Sequence, residues 1–139
     1  MDCVFCQILN GKLPASLVYK DDLCAAFLDI QPVNPGHTLV IPLAHHPHVA
    51  DLPDETAGHL FVVGKKIAAA LRQSGLPCEG VNFFLSDGEV AMQEVMHSHL
   101  HVIPRFPRDG FGLKYGPHYQ AKPSRHELDA AAKAIREKL

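Results

Sequence analysis

Residues 97 to 105 run His97-Ser98-His99-Leu100-His101-Val102-Ile103-Pro104-Arg105. Three histidines alternate with Ser98 and Leu100 and lead into two β-branched residues. This is the strand period, and it predicts three imidazoles on one sheet face with successive rings roughly 7 Å apart. Such a row could bind a metal, hold an anion or attack an electrophile. A single catalytic metal is not expected, because His97 and His101 would stand about 13 Å apart along a strand, too far for one ion with bonds near 2 Å. A phosphate ester met by a central nucleophile and flanking donors fits better. The nucleophile would be His99: a backbone carbonyl can hold one ring nitrogen as N–H, which frees the other to attack. Phosphorus on that nitrogen would form a phosphoramidate that water can cleave, with His101 placed to donate to a phosphate oxygen or to the leaving group. The alternative is a solvated run on an exposed face, where Thr, Lys and Glu are the more usual residues.

Other groups could join this chemistry. Pro35-Gly36-His37-Thr38 opens an apolar segment, and His37 is either a structural residue or a fourth imidazole near the triad. Cys3-x-x-Cys6 could be two buried thiols, a redox pair or half of a zinc site. The redox reading wants a βαβ context, whereas zinc needs two more ligands, for which His45, His46, His48 and His97 are available. Asp29 ends the run Cys24-Ala25-Ala26-Phe27-Leu28-Asp29-Ile30. It either terminates a strand or accepts hydrogen bonds from the two hydroxyls of a ribose. Cys24 and Cys78 have no partner signal and are read as core or surface thiols.

The elements that must position these residues follow from pattern. Val4 to Asn10 is a short apolar piece of one or two helical turns, stopped by Gly11 and Pro14. Leu17 to Lys20 and Cys24 to Ile30 form a hairpin around Asp21-Asp22. Pro32, Asn34, Pro35 and Gly36 make a turn cluster before a buried strand, His37 to Pro42. The long helix, 54–73, has acidic residues at its start and Leu60, Val63, Ile67 and Leu71 at helical spacing; Gly75 and Pro77 end it. Val81 to Leu85 is the next strand, Ser86-Asp87-Gly88 a turn, and the histidine strand follows. An irregular arm after Arg105 leads to a last helix, capped by Ser124 with Glu127 as a capping box and ending at Leu139. Consecutive strands with one long and one terminal helix argue for an α+β fold with an antiparallel sheet.

The 139 residues suit one domain. A net charge of -2 gives no basic footprint, so nucleic acid is not an expected partner. No apolar run approaches a membrane span and no signal peptide opens the chain, so neither a membrane partner nor export is expected. Four cysteines in such a chain are read as thiols or metal ligands, and the expected compartment is the cytoplasm.

Residues 97 to 105 resemble the His-x-His-x-His signature of the histidine-triad (HIT) superfamily, and the likeness extends over nearly the whole chain. Cys3-Val4-Phe5-Cys6-x-Ile8 is similar to the opening of its bacterial Hint-like branch. Ala26 to Ile30 and Gly36 to Pro42 are similar to two internal strands, and Asp109-Gly110-Phe111-Gly112 to a bacterial C-terminal arm. The resemblance implies a single HIT domain over residues 1–139, with the arm and last helix from about 106. Its fold would be α+β, a five-stranded antiparallel half-sheet continued across a homodimer. The dimer would form through helix 54–73 and the strand after it, with the arm around 109–119 reaching towards the partner.

The implied activity is hydrolysis or transfer at the α-phosphorus of purine nucleoside phosphoramidates or related adducts, through a nucleotidyl-histidine and without a catalytic metal. His99 would be the nucleophile and His101 and His37 its partners. Asp29 would hold the ribose, and Phe5, Ile8, Phe27 and Ile30 would line the base pocket, with Ser86 and Gln93 as further nucleotide contacts. One structural zinc per protomer would be held by Cys3, Cys6, His45 and His97. Where relatives carry Gly-Gln-[Ser/Thr]-Val, this chain has Met92-Gln93-Glu94-Val95. The alternatives are a dinucleoside polyphosphate hydrolase with the same first step, a nucleotide-binding or zinc-stabilised interaction module with little turnover, and a zinc hydrolase.

Overall fold

The computed structural model describes residues 3–139. Two compact units divide the chain after Asp109. In the first, helix α1 (Val4–Leu9) precedes strands β1 (Leu17–Lys20), β2 (Cys24–Leu28) and β3 (Thr38–Pro42). Helix α2 (Asp54–Gln73), β4 (Gly80–Leu85) and β5 (Leu100–Arg105) follow. The five strands form one antiparallel sheet in the order β1-β2-β3-β5-β4.

Asp21 makes the first hairpin. Its Oδ1 accepts hydrogen bonds from the Leu23 and Cys24 amides, both at 2.8 Å, an Asx-type closure that turns β1 back into β2. The nearly unbroken apolar runs of β2 and β3 are explained by burial on both faces. Cys24, Ala26, Val40, Leu100 and Val102 face α2, which packs Leu60, Val63, Ile67, Ala68 and Leu71 against them. Ala25, Phe27, Leu39 and Ile41 face the other way and cluster with Phe5 of α1. Gly64 lets α2 approach the sheet: a Cβ there would stand 2.9 Å from a Leu100 methyl.

Three of the boundaries that differ from the sequence reading bear on the site. β2 stops at Leu28 because Asp29 leaves the ladder, its Oδ1 accepting from the Gln31 amide at 2.8 Å. β3 begins at Thr38, after Gly36 turns the chain at φ +94. The histidine segment is a regular strand only from Leu100. Upstream it bends, with the His97 amide on the Val95 carbonyl and the Ser98 amide on the His46 carbonyl.

The second unit is Gly110–Leu139. It holds an irregular stretch in which the Tyr115 and Tyr119 rings stack at 3.8 Å, then helix α3 (Arg125–Arg136). The capping box is formed: Ser124 Oγ accepts from the Glu127 amide, and a Glu127 carboxylate oxygen accepts from the Ser124 amide. The helix ends three residues before Leu139, with Glu137 at its C-cap. No helix among the described residues is long and apolar enough to cross a membrane.

Candidate active site

Strand parity builds the site. With Leu100 and Val102 turned to α2, His99 and His101 must face the α1 side, together with Phe27 and Leu39. The register sets Phe27, Leu39, His101 and Phe84 in one row across β2, β3, β5 and β4. His37, two residues before Leu39, has the same parity and reaches the same spot. The His99 and His101 ring centroids are 4.9 Å apart, closer than the roughly 7 Å of ideal strand spacing, because His99 precedes the regular ladder.

Hydrogen bonds assign every proton among these rings. The Val33 amide donates to His37 Nδ1 at 3.0 Å, so a neutral His37 carries its proton on Nε2. That nitrogen lies 2.8 Å from His101 Nδ1 and donates to it. His101 must therefore carry its own proton on Nε2. His99 Nδ1 donates to the His97 carbonyl at 2.7 Å, which leaves an unshared pair on Nε2. One ring thus offers a lone pair and its neighbour an N–H, the complementary roles of a nucleophile and a donor.

Burial holds the rings neutral. It is the main cause lowering the pKa of His37, His99 and His101, the last to about 4 with further lowering from His99 and His37. Asp29 acts in the opposite direction on all three, and its Oδ2 stands 3.7 Å from His37 Nε2. Asp29, His37 and His101 also bring donor atoms within 4.8 Å of one another, though these atoms are already engaged with each other.

The histidines line a cleft of about 440 Å³, a size suited to a small organic ligand. Phe5, Ile8, Phe27, Leu39 and Ile30 give it an apolar end, and Asp29 lies beside them. Phe84 of β4, Ser86 after it, and Met92, Glu94 and Val95 of the following loop also line it. No Lys or Arg lines it among the described residues.

One expected nucleotide contact is not at the wall. Gln93 is buried, and its amide is used within the protein: Nε2 donates to the Pro47 and Val95 carbonyls, and Oε1 accepts from the Gly88 amide. It braces the loop that carries Met92 and Glu94 rather than facing the cleft. Met92 sits at φ +68, where glycine is the unstrained choice, so the glycine of the family pattern has a backbone reason that Met92 overrides.

A second cluster adjoins the cleft, with the Phe5 ring edge-on to both His97 and His99. His97 is fully buried and belongs here, with Cys3, Cys6 and His45. His97 Nε2 donates to the Pro42 carbonyl at 2.9 Å, which turns the unprotonated Nδ1 towards Cys3 Sγ at 3.5 Å and Cys6 Sγ at 3.6 Å. Cys6 Sγ is 3.4 Å from His45 Nδ1. A tetrahedral zinc with two sulfur and two nitrogen ligands has S···N edges of roughly 3.5 Å, so this donor set suits that ion. The carbonyl behind His97 is the outer partner that metal-binding histidines usually have. Cys24 and Cys78 stand apart: Cys24 is a core thiol pushed up to about 12 by burial, and Cys78 Sγ donates to the Gly80 carbonyl.

Sequence reasoning missed what holds His37. Asn34, buried in the turn cluster, donates to the Pro104 carbonyl and to Asp109 Oδ2, both at 2.9 Å. Asp109 is gripped at both oxygens by Arg105. The Asn34 carbonyl in turn accepts from the His37 amide at 3.0 Å. The signal available was an Asn inside a proline- and glycine-rich turn, which commonly marks a local turn rather than a tie to a strand 70 residues away.

The His101 shift fixes a pH dependence. The unfolded chain takes up a proton near pH 6.5 that the folded chain accepts only near 4, so the unfolded state binds more protons in that window. The stability this group contributes is full above pH 6.5 and is lost as pH falls towards 4. His101→Asn retains the acceptor for His37 and cannot titrate. Urea melts at neutral pH and near the lower limit should show a smaller pH-dependent loss in the variant, with Asp29, His37, His99 and Glu94 present in both.

The HIT domain family matches residues 10–108. A crystal structure of a HIT-family protein from Bacillus subtilis superposes with a TM-score of 0.90 at 38% identity, covering 100% of this chain and 98% of that one. A zinc-bound histidine triad family protein from Mycobacterium smegmatis gives a TM-score of 0.78 at 40% identity, covering 100% and 99%. The adenosine 5'-monophosphoramidase of Schizosaccharomyces pombe is 35% identical over 140 residues, covering 100% of this chain and 99% of that protein. With its α+β fold, its five-stranded antiparallel sheet and its histidine segment, the chain belongs to the HIT family.

Proposed function

We propose that the protein is a nucleotide hydrolase or transferase acting at the α-phosphate of nucleoside monophosphate adducts, of the purine nucleoside phosphoramidate type, through a covalent nucleotidyl-His99 intermediate. The observation that carries this reading is the pairing of His99, whose Nδ1 is tied to the His97 carbonyl, with the His37–His101 relay in one cleft. The similarity to a monophosphoramidase supports the substrate class.

In this reading His99 Nε2 forms a bond to phosphorus while the bond from phosphorus to the leaving nitrogen breaks. The departing amine keeps the bonding pair and takes the proton from His101 Nε2. Water then adds to phosphorus, the bond to His99 breaks, and a proton from that water returns to His101. Phe5, Ile8, Phe27 and Ile30 take the base. Asp29 keeps acceptor capacity for the ribose hydroxyls beyond its bond to the Gln31 amide.

The test is turnover of an AMP phosphoramidate together with capture of labelled nucleotidyl-protein. His99→Ala should fold, give no labelled adduct, and lose more activity than His101→Ala, whose donor role corresponds to roughly 10²–10⁴-fold. Near-wild-type turnover by a folded His99→Ala protein would sink the covalent route.

The same reading includes one structural zinc per protomer on Cys3, Cys6, His45 and His97, supported by their spacing and by the zinc-bound relative. Zinc there would contribute folding free energy. Protein purified without chelator should contain one zinc per chain, and Cys6→Ser should lower both zinc content and melting temperature. Metal-free protein whose melting temperature is indifferent to EDTA would refute the site.

A two-fold homodimer through α2 and β4 completes the reading. β4 is an edge strand, and Phe83 on it packs against Phe61 of α2 at 5.0 Å, with Phe61 and Val62 about half exposed. An open edge beside exposed aromatic surface suits an isologous contact with a second copy. Sedimentation at micromolar concentration should give the dimer mass. A monomer would overturn this part.

A further inference from the structure

Glu94 has no part in the chemistry above, and Ser86, expected as a nucleotide contact, has no step assigned to it. Glu94 lines the cleft and makes no ion pair or hydrogen bond among the described residues. Ser86 lines the same cleft, is 3% exposed, and its Oγ has no hydrogen-bond partner among the described residues. A buried orphan hydroxyl is costly unless something absent from the free protein completes it. Ser86 directly follows β4, and Glu94 lies in the loop between β4 and the histidine segment. In the strand order β2-β3-β5-β4, the histidine strand separates Ser86, at the end of β4, from Asp29, at the end of β2. A nucleoside seated at the apolar end, with its phosphorus at His99, leaves the part of the cleft lined by Ser86 and Glu94 open to its leaving group.

The charge lining the cleft is of one sign. The cleft holds the carboxylates of Asp29 and Glu94 and, among the described residues, no Lys or Arg. A departing polyphosphate would meet Glu94 without a compensating cation. A departing group with a positive charge of its own would meet a free carboxylate and an unused hydroxyl.

We propose that Glu94 and Ser86 form a leaving-group subsite selective for amines bearing a second, ammonium-type charge a few bonds from the scissile nitrogen. The subsite rests on the functional reading above, and it names the chemistry of the group that leaves. Glu94 supplies the charge that selects. Ser86 holds a polar atom near the scissile bond and is indifferent to the charge further out.

The experiment compares AMP phosphoramidates of butylamine, putrescine and γ-aminobutyrate, which differ at the far end of the leaving group. In the wild type, kcat/KM should fall from putrescine to butylamine to γ-aminobutyrate, by roughly fivefold per step for a partly exposed carboxylate. Glu94→Gln should bring the three values together, and Glu94→Lys should reverse their order. Ser86→Ala should lower all three alike. A wild type that treats the three equally, or a ladder that survives Glu94→Gln, would overturn the proposal; no loss in Ser86→Ala would remove Ser86 from the subsite. Affinities of the matching adenosine carbamates, measured by calorimetry, separate this proposal from the functional reading. If no phosphoramidate is turned over, that reading fails. A carbamate ladder flattened by Glu94→Gln still supports the subsite, and equal affinities overturn it.

Discussion

Imidazoles buried on an apolar sheet face must be neutral, and each ring must then place one N–H and one lone pair. The site follows from how this chain meets that requirement. Backbone groups occupy the first position in each case: the Val33 amide for His37 and the His97 carbonyl for His99. Once those are set, the remaining nitrogens have no freedom. His37 donates to His101, His101 keeps its other N–H, and His99 keeps its lone pair. A buried hydrogen bond left unmade costs about 1–3 kcal/mol, which is ample to hold a tautomer that water would scramble.

The rings are only as well placed as the loops that supply their partners. The turn carrying Val33 and His37 is tied to the end of β5 through Asn34, Pro104, Asp109 and Arg105. The Asp109 side chain is 3% exposed, and a carboxylate so buried persists because Arg105 meets both its oxygens and Asn34 adds a donor. Gln93 ties the loop 88–95 to Pro47, so the part of the cleft wall that carries Met92 and Glu94 is braced by an amide that never faces the cleft. Two long-range polar ties therefore flank a strand whose own geometry is set by apolar packing.

This division explains what could be read from the residues alone. The central strands, the long helix and the capping box of α3 are local patterns of period and end chemistry, and they appear within a few residues of where pattern puts them. The same parity argument places His99 and His101 on one face, and Cys3-x-x-Cys6 with His45 and His97 come together as the family pattern implies. What was not legible depends on distant partners. Asn34 and Gln93 are ordinary turn residues until a strand end or a loop tens of residues away supplies their hydrogen bonds. The bend at His97 is equally non-local, because the Ser98 amide bonds to His46 and not to a neighbouring strand. Alternation in the sequence says which face a side chain takes, but not where the ladder stops.

That bend gives His97 two directions at once. A continuous strand would have put its ring beside His99, in the cleft. Bent out of the ladder, the ring turns to the cysteine pair and its Nε2 is held by Pro42, while its backbone carbonyl accepts the Nδ1 proton of His99. The first histidine is thus separated from the other two by side chain and joined to them by backbone. Whatever immobilises the His97 ring also immobilises the carbonyl that sets the tautomer of His99. The order of the cluster around Cys3 and Cys6 and the readiness of His99 Nε2 are therefore one mechanical problem, passing through two residues of backbone and a single 2.7 Å hydrogen bond. No side chain of that cluster needs to enter the cleft to influence it.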